Sequence, residues 1–245
     1  MSADGAAAGG RVAAGGRVAA GREAAAGRGR EALLAQVVSY ARSRLGQDRT
    51  AHGMDHAERV ARMAGRIAAE EGVEPTLPVI ASYLHDTVDD KVVADPELAR
   101  EELRAFLDGL ALAPAEVDDL LHTIAHMSFS DSIGGEAEPL SLAGRITQDA
   151  DRLDAIGAIG VTRAVYYGGA HGERIYDPAV PPRRSLTREE YRNLDNETIF
   201  NHFYEKLLGL KDALNTDAAR RIAERRQRFM LDYLAELKAE WEGLA

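Results

Sequence analysis

From Glu31 onward apolar residues recur at helical spacing, first at Leu33, Leu34, Val37, Val38, Ala41 and Leu45. Side chains three and four apart share one face of an α-helix, whereas a half-buried strand alternates every second residue. No segment sustains that alternation. The pattern predicts an all-α body, with further helices at 55–71, 77–87, 96–109, 114–127, 141–167, 187–212 and 216–242. Thr76 ahead of Pro78, Ser141 and Thr216 stand at N-terminal cap positions, where a side-chain oxygen can accept from an unpaired amide of the first turn. Gly72 and Gly168 stand at stops. The connection 168–185 holds Gly168, Gly169, Gly172, Pro178, Pro181 and Pro182 and is long for a helix-to-helix link. It reads either as a lid or substrate loop or as a passive surface loop.

Composition changes that picture at one end. Residues 1–30 are mostly Ala, Gly and Arg, and the hexapeptide Ala-Ala-Gly-Gly-Arg-Val occurs twice, at 7–12 and 13–18. Such a segment holds too little apolar surface to offset its ordering entropy, so it reads as a disordered tail ahead of one domain at 31–245. Charge narrows the partners. The chain has 30 Lys plus Arg against 40 Asp plus Glu, a net −10; the tail carries five Arg against Asp4 and Glu23, or +3, which leaves the body at −13. So acidic a body repels a phosphate backbone, which argues against a nucleic-acid partner. With no cysteine there is neither a disulfide nor a thiolate zinc site, and any metal must be held by imidazole, carboxylate and water. No apolar run reaches a membrane span and the N-terminus lacks a secretion signal, so the expectation is a cytoplasmic protein with no membrane partner. The helix carrying Ile222, Met230, Tyr233, Leu237 and Trp241 either packs on its own domain or serves an interface, and the oligomeric state stays open.

Candidate chemistry begins with histidine, five of the seven lying between His52 and His126. His56 shares a helix face with Val60, Met63 and Ile67, so its imidazole points inward. The nearly all-apolar run Val79-Ile80-Ala81-Ser82-Tyr83-Leu84 leads into His85-Asp86-Thr87-Val88-Asp89-Asp90, placing three carboxylates at the end of a core helix. A buried, unpaired carboxylate costs several kcal/mol, so it calls for a cation. Either Lys91 or a divalent metal answers that need, and a metal also explains the adjacent His85. On the helix opened by Ser141, the residues Thr147, Gln148, Asp151, Asp154, Ala155 and Ala158 form one polar and small face, which either approaches a metal or is a solvated stripe.

Read together as H, then HD, then D on three helices, these pieces resemble the HD-domain superfamily of metal-dependent phosphohydrolases. His-Ala-Glu-Arg-Val at His56 is similar to the first motif, His85-Asp86 to the second, and Ala-Asp-Arg-Leu-Asp-Ala around Asp151 to the last. The resemblance spans about 31–243, because Asn193-Leu194-Asp195-Asn196-Glu197-Thr198 and His202-Phe203-Tyr204-Glu205-Lys206-Leu207-Leu208 look like a bacterial HD-hydrolase subgroup. It implies a helical bundle with a metal site between core helices, and metal ligands at His56, His85, Asp86 and Asp151. It also implies one divalent transition metal; imidazole with carboxylate suits Mn, Co, Ni or Fe, and Mg is admissible. Asp89 and Asp90 fall where hydrolases of the alarmone and nucleotide type carry an acidic residue or pair, here Asp-Asp rather than Glu-Asp, and are the catalytic candidates. Arg59, Lys91 and Arg152, beside the proposed ligands, either hold phosphate oxygens or form salt bridges. Of His122 and His126, either one lines the pocket, with His126 the substrate-binding choice, or the pair holds a second metal as in binuclear branches. The reaction so implied converts a nucleoside triphosphate to monophosphate plus pyrophosphate. Its competitors are a guanosine alarmone 3′-pyrophosphohydrolase, a nucleoside monophosphatase and a non-catalytic nucleotide sensor.

Overall fold

The computed structural model describes the backbone of residues 9–46, 52–90, 92–128, 138–183 and 198–245, with side chains from residue 27 onward. Nine α-helices lie in that described part: α1 (Gly9–Leu45), α2 (Met54–Glu70), α3 (Thr76–Leu84), α4 (Pro96–Asp108), α5 (Pro114–His126), α6 (Leu142–Asp154), α7 (Gly157–Ala170), α8 (Ile199–Glu205) and α9 (Asp217–Trp241). Short 3-10 stretches follow α3 (His85–Val88) and α8 (Leu207–Ala213). The all-α expectation holds. No helix among the described residues is long and apolar enough to cross a membrane.

Helices α2, α3 and α6 pack mutually at the centre. On one side, Val60, Ile67, Ile146, Leu153, Phe203 and Met230 join α2 and α6 to α8 and α9; on the other, Val37, Ile80, Leu84, Leu103 and Leu120 join α3 to α1, α4 and α5. The chemistry-bearing residues therefore lie where the two cores meet, on α2 and α6 of one and at the end of α3 in the other.

Several boundaries differ from the periodicity. The stretch read as one helix over 141–167 is two, because Ile156 is extended and Gly157 takes φ +78, a left-handed conformation that favours glycine. A Cβ at Gly157 would also lie 2.9 Å from Arg226 Cγ. Ser141 and Thr216 cap as expected, accepting from Gly144 and Ala219 amides, but the α3 cap is Pro75 and Thr76 hydrogen-bonds to Glu74 instead. Gly72 stops α2 with φ +70, whereas α7 runs past Gly168 to Ala170. Helix α1 begins at Gly9, so the change of composition near residue 30 is not a change of secondary structure; Ala and Arg are strong helix formers and outweigh the interspersed glycines. The expected helix over 187–212 falls partly outside the described residues, which resume at Thr198. The segment 171–183 is strapped onto α8: Arg174 bridges Thr198, Asn201 Nδ2 donates to Val180 O at 2.9 Å, and Arg183 donates to the nearly buried Glu205 carboxylate.

Candidate metal centre and its cleft

His56 lies in the first turn of α2 on the face that buries Val60 and Ile67, and is itself 1% exposed. Helix α3 is apolar on nearly every side, so it runs through the core, and where it tightens into the 3-10 turn its last buried turn delivers His85 and Asp86. Asp151 comes from α6. The three elements bring the predicted ligands together: His56 Nε2 is 3.2 Å from His85 Nε2, 3.4 Å from Asp86 Oδ2 and 3.4 Å from Asp151 Oδ1. His85 Nε2 is 3.4 Å from Asp86 Oδ1 and 3.8 Å from Asp151 Oδ1.

The other ring nitrogens fix what those atoms are. His56 Nδ1 donates to Asp154 Oδ2 at 2.7 Å, and His85 Nδ1 donates to the Ser82 carbonyl at 2.8 Å. With both rings neutral, each Nε2 is then a lone pair, so two imidazole nitrogens and two carboxylates converge as acceptors. That donor set fits one divalent ion. Ligands bound at about 2.1 Å stand roughly 3.0–3.4 Å apart around a metal, near the separations found. His56, His85 and Asp86 form a cluster able to hold such an ion. The electrostatics carry the same demand for positive charge. With no cation bound, a proton on His56 Nε2 meets it: burial alone would lower the His56 pKa, but its hydrogen bonds to Asp151 and Asp154 and the charge of Asp86 push it up to about 9. Burial would raise both carboxyls, yet the surrounding imidazoles hold Asp86 well below the usual range and Asp151 down to about 2.

The cluster opens into a cleft of roughly 1160 Å³, large enough for a nucleotide. Asp89 and Asp90, the catalytic candidates, line it beside His85, Asp86 and Asp151. The nominated substrate residues fare differently. Arg59 is committed to Asp154 and Asp55, with Nε 2.9 Å from Asp154 Oδ1 and Nη1 2.6 Å from Asp55 Oδ2. Arg152, one residue and about 100° around the helix from Asp151, turns away and donates to the Ala213 carbonyl. His126 packs against His122 with ring centroids 4.6 Å apart, His122 Nε2 faces the Pro139 carbonyl at 3.1 Å, and neither is among the described cleft-lining residues. Lys91 lies outside the described residues, as do 193–197 of the Asn193-to-Thr198 run.

Four features escaped the sequence reading as site residues. His52 lines the cleft and its Nδ1 is 3.0 Å from Asp86 Oδ2; its place in the histidine cluster was the available signal. Asp154 was visible on the polar face of α6, but not as the partner of His56. Arg163, 3.0 Å from Asp154, had no signal at all. The described cleft cations are Arg100 and Arg104 on α4 and Lys206 after α8, the first two hidden in what reads as an ordinary charged helix face.

Known proteins resemble this chain over the same helices. The HD domain family model matches residues 53–156, which run from the start of α2 to the end of α6. The Bacillus subtilis (strain 168) protein YpgQ is 34% identical over 209 residues, or 85% of this chain and 94% of its own length. Among solved structures, a Lactobacillus plantarum protein is 44% identical with a TM-score of 0.78, covering 87% of this chain and 98% of that one. The crystal structure of YpgQ in complex with ADP shares 32% identity and a TM-score of 0.70 over 86% and 96% of the two chains. An HD-superfamily hydrolase from Bacillus thuringiensis shares 33% identity and a TM-score of 0.69 over 87% and 98%.

Proposed function

The chain belongs to the HD-domain family, and on that footing we propose that it is a metal-dependent phosphohydrolase that cleaves nucleoside triphosphates to monophosphate and pyrophosphate in the cytoplasm. The observation that carries this reading is the convergence of His56, His85, Asp86 and Asp151 as acceptors at the head of a nucleotide-sized cleft. The ADP bound by YpgQ, a relative along nearly its whole length, supports a nucleotide as occupant. A Mn, Co, Ni or Fe ion held by those four residues would supply Lewis acidity toward a phosphoryl oxygen and acidify a water.

The remaining work belongs to the protein's own groups. The water oxygen attacks the α-phosphorus, the bridging bond to the β-phosphate breaks, and pyrophosphate leaves with the bond's electrons. Asp89, three residues past Asp86 and facing the same cleft, takes the proton released by the water, with Asp90 beside it. Arg100, Arg104 and Lys206 set positive charge along a wall otherwise rich in carboxylates, where the phosphate chain must lie.

The test incubates the protein with a panel of nucleotides and each divalent metal, and measures phosphate and pyrophosphate separately. Pyrophosphate with monophosphate is the expected product pair. Orthophosphate from monophosphates, or pyrophosphate released only from a 3′-diphosphate, would move the activity to another phosphate bond. Tight binding without product would leave a sensor.

A further inference from the structure

Asp154 has both of its oxygens engaged. Arg59 of α2 donates through Nε to Oδ1 at 2.9 Å and through Nη2 to Oδ2 at 3.1 Å, and Arg163 of α7 donates through Nη1 to Oδ2 at 3.0 Å. The same Oδ2 accepts from His56 Nδ1 at 2.7 Å. The Asp154 side chain is 6% exposed, so these contacts occur largely out of water. Oδ2 thus meets three donors against its two lone pairs, which leaves it nothing to offer a metal. Asp151 and Asp154 share the polar face of α6, but Asp154 is turned to the two guanidiniums and to His56 Nδ1, whereas Asp151 faces both Nε2 atoms.

Arg163 reaches that carboxylate only because the helix breaks. Nine residues after Asp154 on a continuous helix, it would stand about 13.5 Å further along the axis and on the opposite face. The extended Ile156 and left-handed Gly157 turn α7 back over the end of α6 and bring the guanidinium to 3.0 Å.

We infer that Asp154, clamped by Arg59 and Arg163 from two different helices, is the positioning residue that holds the His56 ring and its Nδ1–H tautomer so that Nε2 stays open to a metal. The inference rests on His56 being a metal ligand. A carboxylate fixed by two cations is an acceptor that cannot rotate away, and partners of this kind govern metal affinity by about 10–100-fold when they are lost.

The experiment titrates manganese into metal-free wild type, Asp154→Ala, Asp154→Asn and Arg163→Met by calorimetry, and records the His56 Nδ1 proton by NMR in the zinc-loaded, diamagnetic proteins. Asp154→Ala is expected to weaken manganese ~10–100-fold and to lose the exchange-protected Nδ1 proton. Asp154→Asn restores an acceptor and should recover part of the affinity. Arg163→Met, at a side chain 19% exposed, should keep the fold and weaken manganese several-fold; it decides the matter should Asp154→Ala not fold. Wild-type manganese affinity in Arg163→Met, or an unchanged, exchange-protected Nδ1 proton in a folded Asp154→Ala, would overturn the inference. A wild type that binds no manganese would instead overturn the metal-ligand reading beneath it.

Discussion

Asp149 and Asp151 stand two residues apart on α6, about 200° apart around its axis, and they meet opposite surroundings. Asp149 is fully buried, and its carboxylate is satisfied by the chain alone. Oδ1 accepts from the Asn215 amide and Nδ2 at 2.8 Å each, and Oδ2 accepts from the Thr216 amide at 2.8 Å and its hydroxyl at 2.7 Å. Those four short bonds also tie the start of α9 to α6. Asp151 instead faces His56 Nε2 and His85 Nε2, nitrogens whose protons sit on the far side of each ring. Burying charge is costly at Asp149 and, beside the one-third exposed Asp151, at the buried Asp86. One site offsets the cost with internal donors, and the other leaves an acceptor cluster whose charge must be matched by a cation from outside. Of the two acids the more buried one is not the ligand candidate, so the character of an acid's neighbours, rather than its burial, marks it as one.

The largest effect that would sharpen this contrast is expected from His85→Ala or Asp86→Ala. Each should leave the protein without bound metal by elemental analysis and reduce turnover on the order of 10³-fold or more, the scale of several kcal/mol of lost charge stabilisation. Chelation should lower the wild-type melting temperature and leave these variants unmoved, since only a folded-state ligand adds binding free energy to stability. A variant that kept its metal would break the comparison at its centre.

Asp149→Ala should show the reverse profile. Stranding four buried donors is expected to cost about 3 kcal/mol, a fall of roughly 10 °C in melting temperature for a chain of this size, while metal per folded molecule stays at the wild-type level. Loss of metal without loss of stability would mean the two carboxylates are not distinct in role.

Asp89→Asn separates chemistry from coordination within the cleft. It keeps size and removes charge, and the single-turnover rate should fall about 100-fold with metal content unchanged. A rate within a few-fold of wild type would move the proton acceptor to Asp90.

The smallest effect is expected from deleting residues 1–30, because the partners of both carboxylates come from elsewhere: the His56 turn, His85 and the 215–216 turn. The described contact so removed includes the exposed Arg30–Glu74 ion pair at 3.1 Å, a kind worth about 1 kcal/mol or less. Turnover should not change and the melting temperature should move by only a few degrees; a larger loss of either would show that the segment docks on the body.

The sequence by itself determined the all-α class, the inward face of His56, and the arrival of His85-Asp86 at the end of a core helix. Each follows from a local pattern: a 3.6-residue period says which face is apolar, and an all-apolar run says that a helix is buried. Tertiary structure decided the rest. The apolar period runs on through Leu153, Ile156, Val161 and Ala164, so nothing in it marks the break that Gly157 makes against Arg226. Arg59 and Arg152 flank ligands in sequence, yet one is claimed by Asp154 across two helices and the other by the Ala213 carbonyl. Asp149, Asp151 and Asp154 share one short stretch of helix and become a clamp to α9, a metal-facing carboxylate and a brace for His56. Periodicity assigns a residue to a face of its own helix. Which donors and acceptors come within 3 Å of that face depends on how the other helices pack, and hydrogen bonding at that range sets each carboxylate's role.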